Sequence, residues 1–463
     1  MDSDRLAGHF EGVTAVFVPG IDDVARFERP ARGADGRAAL VVAPADIDEV
    51  RAVVRVASAE GVRLLAQGAN SGLVGASVPP ADPPTVVLST ERLRSAPVID
   101  IDGTTATVAA GTRLSELNEA AAIHGLHLPI DLGADPAIGG MIATNTGGSR
   151  VLRYGAMRRY VLAAEVVAAD DDASVFGSLA ALRKDSRGLD ATQLAIGSGG
   201  TLGVITGAVV DLVPLPRSTQ TWWLAVEDTD RLVELLATLE RRRPGALSAF
   251  ELVSRAAFER TLGVAGTPAN PFGEAVPNVA VLAEWSFVGD GGGVEEDIDA
   301  ACDAGLLTDG RLVDPASAWG LRHRVSESLR TLGTVLGHDV SVPRSSLMEV
   351  RRRAIDAIAV LAPAAVMCDF GHAGDGGLHL NVLFPNEVEP PSEQQQAAIR
   401  RAIDDLVIAA GGSYSAEHGL GPLNAERWLA TTPPIEQHLV AALKDIVDPH
   451  RILGHPAHPY NRL

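Results

Sequence analysis

Two histidines flank a glycine-rich turn in the stretch Gly371-His372-Ala373-Gly374-Asp375-Gly376-Gly377-Leu378-His379-Leu380-Asn381, and Glu417-His418-Gly419 follows downstream. Two imidazoles and one carboxylate can ligate a divalent transition metal and still leave coordination positions open for a substrate. If His372 ends one strand and His379 begins the next, His379 and Asn381 share a face, while Leu378, Leu380 and Val382 point the other way. On ligand chemistry alone, a polar hairpin with two hydrogen-bonded histidines fits the same residues. A metal-activated water, and so a hydrolase, is a further reading of the three ligands.

The first half of the chain carries different chemistry. Residues 68–77 form a glycine-rich segment directly after the strand pattern Arg63-Leu64-Leu65-Ala66. Glycines allow close backbone approach, and successive N–H groups can hold phosphate oxygens. The segment is not GxGxxG, so the nicotinamide fingerprint is absent from it. A second segment, Ile138 to Gly148, has two Gly pairs flanking Thr144 and Asn145, and a third spans residues 197–203. Three such segments point to one shared ligand with a pyrophosphate, a flavin dinucleotide being the candidate. A redox cofactor together with an open metal site points to oxidation of a metal-chelating alcohol.

These motifs need elements to hold them. Leu40-Val41-Val42 reads as a buried strand, Asp46 as an N-cap, residues 47–60 as a helix and Gly61 as its C-cap. Strand, helix, strand and glycine loop is an α/β beginning. Further strands are expected at 85–88, 105–109 and 161–168, a helix at 114–124, and a long loop from Pro129 to Gly148. Pro214 and Pro216 mark a boundary. Beyond it strands are expected at 222–226, 249–252 and 279–285, and helices at 230–242, 345–361 and 394–410. A helix is expected to begin at Arg322-His323-Arg324, and the last fifty residues read as mostly helical.

The pieces GANSGLVGASVP, IGGMIATNTGG, LRKDSRGLD and GSGGTLGVIT resemble the vanillyl-alcohol-oxidase-type FAD family. Within it they resemble the FAD-linked D-2-hydroxyacid dehydrogenases, the branch acting on D-lactate, glycolate and D-2-hydroxyglutarate. The resemblance runs from about Val41 to Pro456. It implies an α+β protein with a two-subdomain, PCMH-type FAD-binding domain over residues 36–215. It adds an α+β substrate cap with a ferredoxin-like sheet over 219–410, and a helical segment over 411–463 that completes the active site and the FAD unit. It implies FAD contacts from Gly68, Ala69, Asn70, Ser71, Gly72, Leu73, Gly75, Ala76 and Ser77. Leu132, Gly133, Gly139, Gly140, Thr144, Asn145, Gly148 and Ile205 complete that set. The first loop has no histidine, so the FAD is expected to be non-covalent.

The same resemblance assigns a divalent metal, zinc by preference, to His372, His379 and Glu417, and places Asn381 and His418 beside the substrate. Arg322 is the candidate clamp for the substrate carboxylate, because a guanidinium fork matches two oxygens. The implied reaction oxidises a D-2-hydroxy acid to the 2-oxo acid. The metal assists loss of the hydroxyl proton to His418, and the hydride goes to flavin N5. An oxidase using oxygen and a flavoprotein without this activity are the alternatives. Four positions depart from the family pattern: Gly200 stands for glutamate, Gly337 for lysine, Gly377 for asparagine and His455 for asparagine. The missing lysine at Gly337 weakens D-2-hydroxyglutarate as the substrate and leaves lactate or another 2-hydroxy acid open.

Composition bounds the rest. The 463 residues carry 39 Lys+Arg against 59 Asp+Glu, a net charge of −20. That argues against nucleic acid or an anionic membrane as the main partner. Two cysteines, Cys302 and Cys368, offer no disulfide framework and no iron–sulfur set. The resemblance implies a small 2-hydroxy acid as substrate, and without a CxxC-bearing relay a separate electron acceptor is expected: an electron-transfer flavoprotein, a quinone or a cytochrome. A cytoplasmic location is expected, with no transmembrane segment and with a homodimer possible.

Overall fold

The computed structural model describes residues 3–289 and 291–463. The chain divides into two compact units. One holds Met1–Gly147, Ala156–Leu215 and His418–Leu463, and the other holds Gly148–Gly155 and Pro216–Glu417. The C-terminal stretch from 411 is thus shared, with 411–417 in the second unit and the remainder in the first.

In the first unit, Leu40–Ala43 lies inside a four-stranded sheet, parallel to Thr85–Ser89, which in turn runs parallel to Arg63–Gln67. All four residues of Leu40–Ala43 are buried, as a continuous apolar run in a parallel sheet requires. The helix Ile47–Glu60 covers this sheet. Its N-cap Asp46 accepts a hydrogen bond from the Glu49 N–H, and Gly61 ends it at φ 64°. Val50, Val53, Val54 and Ala57 are buried at the helical spacing of a single stripe. The tail extends the sheet: Leu453 bridges Leu64 in parallel, with Leu64 N–H donating to the Ile452 carbonyl at 2.7 Å and Gly454 N–H to the Leu64 carbonyl at 2.8 Å. A second, five-stranded antiparallel sheet runs Val98–Asp100, Thr105–Ala109, Val204–Asp211, Val161–Val167, Val175–Gly177.

The stretch expected to be a loop before Gly148 contains a helix, Ile138–Thr144. Its glycines are poor helix formers, so tertiary contact supplies the order. Gly139 packs so closely on Ala110, the residue after the Thr105–Ala109 strand, that an added Cβ would stand 2.8 Å from the Ala110 Cβ. Ile138, Met141 and Ile142 are buried beside it.

The second unit is built on an eight-stranded antiparallel sheet. Its main path is Asp309–Val313, Ser218–Val226, Val279–Phe287, Leu247–Ser254, Phe370–Gly371, Gly377–Pro385, Gly333–Ser341. One core lies on the face carrying Phe250, Leu252, Leu378, Leu380 and Val382, under the helices Leu232–Arg242, Val294–Asp303, Leu347–Leu361 and Glu393–Ala409. A second core holds Ala249, Val253, Phe370 and Leu383, under Arg255–Leu262 and Pro315–Leu332. The helix carrying Arg322 starts earlier than expected, at Pro315, with Asp314 as its N-cap, so Arg322 sits mid-helix. The last fifty residues hold two α-helices, Ala425–Thr431 and Pro434–Val447, and two short 3-10 helices, Pro422–Asn424 and Pro459–Asn461, joined by irregular chain; Pro422 and Pro434 stand at first helical positions, where proline's missing N–H costs nothing.

Candidate active site

In the first unit the segment after Arg63–Gln67 is shaped by its own side chains. Asn70 stands at φ 53°, and its amide donates to the Arg29 carbonyl at 2.9 Å. Ser77 donates to the Asn70 side-chain oxygen at 3.0 Å, and Gln67 donates to the Ser77 carbonyl at 2.7 Å. Asn145 caps Ile138–Thr144 at φ 52° and accepts from the Arg158 N–H. Thr144 donates back to the Gly140 carbonyl. Asn70, Ser77, Thr144 and Asn145 therefore set backbone shape in this arrangement. An added Cβ at Gly133 or Gly140 would meet nothing within 4 Å, so both leave bare backbone facing open space. A glycine-lined surface of this kind fits the approach of a dinucleotide pyrophosphate. Gly68, Ala69, Ser71, Gly72, Leu73, Gly75, Ala76 and Leu132 lie in the same unit, as does Ile205 on Val204–Asp211. Gly148 is the first residue of the second. Gly200 has φ 74°, a left-handed backbone that glycine adopts without the strain a glutamate would carry.

In the second unit the turn between the histidines is set by glycines. Gly371 has φ 142°, and a Cβ there would lie 3.0 Å from the His379 nitrogen. At Gly376, φ 96°, a Cβ would lie 2.2 Å from the Val342 carbonyl oxygen. Gly374 N–H donates to the Phe250 carbonyl at 3.0 Å, tying the turn to Leu247–Ser254. His379 and Asn381 share one face of Gly377–Pro385, pairing across to Asp339 and Gly337. Glu417 is delivered by another anchor. Ser341 and Ser413 exchange backbone hydrogen bonds, and Glu417 N–H donates to the Asp339 carboxylate at 2.9 Å.

These anchors bring His372, His379 and Glu417 together, with ligand atoms all within 4.8 Å of one another. His372 Nε2 lies 3.0 Å from one Glu417 oxygen and His379 Nε2 lies 3.9 Å from the other. The side chains are 11%, 17% and 23% exposed, so the cluster is largely enclosed yet reachable. Two imidazole nitrogens converging on one carboxylate fit a divalent transition metal. Asn381 lies two residues along from His379, its amide donating to the His379 carbonyl at 3.2 Å. His418, the next residue after Glu417, begins the return of the chain to the first unit.

The electrostatics divide the two histidines. Burial alone would lower the His372 pKa, but Glu251 and Glu417 raise it well above its ordinary value. Burial, then the neighbouring His372 charge, pushes His379 down to about 4 and keeps it neutral, the form that ligates. His372 would release its proton on ligation.

Two acidic residues at this centre were not among the expected site residues. Asp339 pairs with His379 across the sheet, whereas Glu251 gave no motif. It is a carboxylate in a strand whose eight residues are all buried. That burial pattern is the signal: a charge there must be paired. Arg322, expected to clamp a substrate carboxylate, is 6% exposed and bound to Glu251, with Nε at 2.9 Å and NH2 at 2.6 Å from Oε2. Its guanidinium also sits 4.7 Å from the Phe370 ring centroid.

Known proteins match both halves of this chain. Residues 38–175 match the FAD binding domain family, and residues 215–455 match the C-terminal domain of FAD linked oxidases. The mitochondrial D-2-hydroxyglutarate dehydrogenase of Bos taurus is 33% identical over 467 residues, covering 96% of this chain and 82% of that protein. The D-2-hydroxyglutarate dehydrogenase of Xanthomonas citri pv. viticola is 33% identical, covering 89% of this chain and 88% of that protein. The crystal structure of p-cresol methylhydroxylase superposes with a TM-score of 0.73 at 14% identity, covering 97% of this chain and 95% of that one, which establishes the PCMH-type fold. With two FAD-linked domains in this order and relatives matched along nearly its whole length, the chain is an FAD-dependent oxidoreductase of the FAD-linked oxidase family, in its D-2-hydroxyacid dehydrogenase branch.

Proposed function

We propose that the protein oxidises a D-2-hydroxy acid to the corresponding 2-oxo acid. The observation that carries this reading is the convergence of His372, His379 and Glu417 in a chain whose relatives are named D-2-hydroxyglutarate dehydrogenases. Bound FAD would supply a hydride acceptor at flavin N5, and a bound divalent cation, zinc by this reading, a Lewis acid for the 2-hydroxyl. His372, His379 and Glu417 would hold the cation, and the bare backbone around Gly133 and Gly140 would admit the FAD pyrophosphate without a covalent link. Asn381 would orient the acid by its amide. His418 would take the hydroxyl proton, because an imidazole can act as a general base and one peptide bond ties this one to a metal ligand.

The names of the relatives make D-2-hydroxyglutarate the first substrate to try. Gly337 argues for a smaller acid such as D-lactate, since it pairs directly with Asn381 and offers no cation for a second carboxylate. With Cys302 and Cys368 present as free thiols, the electrons would pass to a separate acceptor: an electron-transfer flavoprotein, a quinone or a cytochrome. Among the described residues no helix is long and apolar enough to cross a membrane. A reducing, cytoplasmic setting is our expectation.

Anaerobic bleaching of bound flavin tests the reading, with D- and L-forms of lactate and 2-hydroxyglutarate, and with glycolate. Bleaching by a D-acid, abolished by a chelator and restored by zinc, is the expected result. Flavin that stays oxidised with every acid would sink it and favour a flavoprotein without this activity.

A further inference from the structure

Glu251 is a charged group enclosed beside the candidate metal centre, with 1% of its surface exposed. It comes from Leu247–Ser254, a strand outside every motif considered above. Both of its oxygens are engaged. Oε1 lies 2.6 Å from His372 Nδ1, and Oε2 accepts from Arg322. On the other side of the same ring, His372 Nε2 faces Glu417 at 3.0 Å. The four side chains form a line: Arg322, Glu251, His372, Glu417.

This line answers a requirement of metal ligation by histidine. A ring nitrogen binds an ion well when the other nitrogen donates its hydrogen to a fixed acceptor, which sets the tautomer and the ring orientation. We propose that Glu251 is the positioning residue of the metal centre: it receives the His372 Nδ1–H and thereby presents Nε2 to the ion. Arg322 serves the same end from behind. Its guanidinium compensates the buried carboxylate, which would otherwise carry the full cost of an unpaired charge. The inference rests on the metal reading of the proposed function, and it gives Arg322 the support of Glu251 as a task beside the expected substrate clamp.

Three further features agree. Glu251 lies on the face of Leu247–Ser254 shared with Ala249 and Val253, the face under the Arg322 helix. The turn after His372 is tied to the same strand through the Phe250 carbonyl, so ring and acceptor move as one piece. The Phe370 ring lies under the guanidinium and 5.2 Å from the His379 ring, enclosing the cluster.

The test is zinc affinity, measured by competition with a chromophoric chelator on the FAD-loaded protein. Wild type, Glu251→Ala, Glu251→Gln, His372→Ala and the double variant Glu251→Ala/His372→Ala are compared, with circular dichroism to confirm folding. Glu251→Ala is expected to weaken zinc binding by about 10–100-fold. Glu251→Gln keeps an oxygen for the Nδ1–H and is expected to recover most of that loss. In the His372→Ala background, removing Glu251 is expected to change the affinity no further, because its effect passes through that ring. A merely structural role would lower affinity by the same factor with or without His372, and that result would overturn the proposal. Unchanged zinc affinity in both folded single Glu251 variants would overturn it too, while leaving the metal reading intact. If the wild type itself binds no zinc, manganese or iron(II), the metal reading fails and this inference with it. Should Glu251→Ala fail to fold, Glu251→Gln alone and in combination with His372→Ala completes the comparison.

Discussion

At the residue scale, the site separates groups that announce themselves from groups that do not. His372 and His379 announce themselves by their spacing around a glycine turn, and Glu417 by its neighbour His418. Glu251 does not, because its partners Arg322 and His372 are 71 and 121 positions away. A lone carboxylate in an apolar strand says only that it needs a partner, not which one. Arg322 shows the converse: a guanidinium at a plausible place suggested a substrate clamp, and the structure adds a buried partner that the spacing did not show, with two of its nitrogens on Glu251. His418 yields a prediction at this scale. His418→Gln keeps a hydrogen-bonding side chain but removes the group assigned to the hydroxyl proton. Substrate-driven flavin reduction should slow by about 10²–10⁴-fold, with zinc and flavin content unchanged, as read by stopped-flow absorbance. Flavin reduction at the wild-type rate would remove His418 from the proton step.

At the element scale, legibility follows how local the stabilising contacts are. The helix Ile47–Glu60 was readable to the residue, because its caps and its apolar stripe are all within it. Ile138–Thr144 was not, because Gly139 becomes helical by packing on Ala110, a contact the local sequence does not display. The C-terminal tail is a stronger case. It makes a parallel bridge from Leu453 to Leu64, held by a clasp at Lys444. This lysine is fully buried, with Nζ 2.5 Å from Asp448, 2.7 Å from the Thr201 carbonyl and 3.1 Å from the Leu453 carbonyl. His458 is enclosed in the same tail, and burial, then the Lys444 charge, pushes its pKa from 6.5 down to about 3. The unfolded chain therefore takes up this proton first. The stability tied to His458 is full above about pH 6.5 and falls as pH drops from there toward 3. Its slope is about 1.4 kcal/mol per pH unit. Urea unfolding between pH 6.5 and 5 should show the wild type losing stability faster than His458→Gln by about that slope. Equal slopes would mean that His458 is not held neutral in the fold.

At the scale of the whole molecule, the chain leaves the FAD-binding unit at Gly148, returns at Ala156, leaves again at Pro216 and returns at His418. The last crossing falls between Glu417 and His418, so the third metal ligand and the proposed base belong to different units although they are neighbours in sequence. The proline-marked boundary near 215 was legible, because composition changes there. The eight-residue excursion Gly148–Gly155 was not, because nothing local tells a glycine-flanked loop from a segment donated to another core. Its attachments are distant: Arg150 Nε lies 2.8 Å from the buried Glu284 carboxylate, which also accepts from the Trp319 indole at 2.8 Å. This division predicts how ligands stabilise the molecule. The residues assigned to FAD, Gly148 apart, lie in the first unit, and all three assigned metal ligands lie in the second. A ligand that binds only the folded form stabilises the unit that holds it, by about 2.7 kcal/mol at a hundredfold excess over Kd. For units of this size that raises a melting temperature by roughly 5–10 °C. Calorimetry of the ligand-free protein should resolve two transitions. FAD alone should raise the one from the first unit, and zinc alone the one from the second. Glu417→Gln should abolish the zinc shift and leave the FAD shift in place. A single transition moved equally by either ligand would show that the two units unfold as one, and that the crossings at 148, 156, 216 and 418 bind them into one cooperative structure.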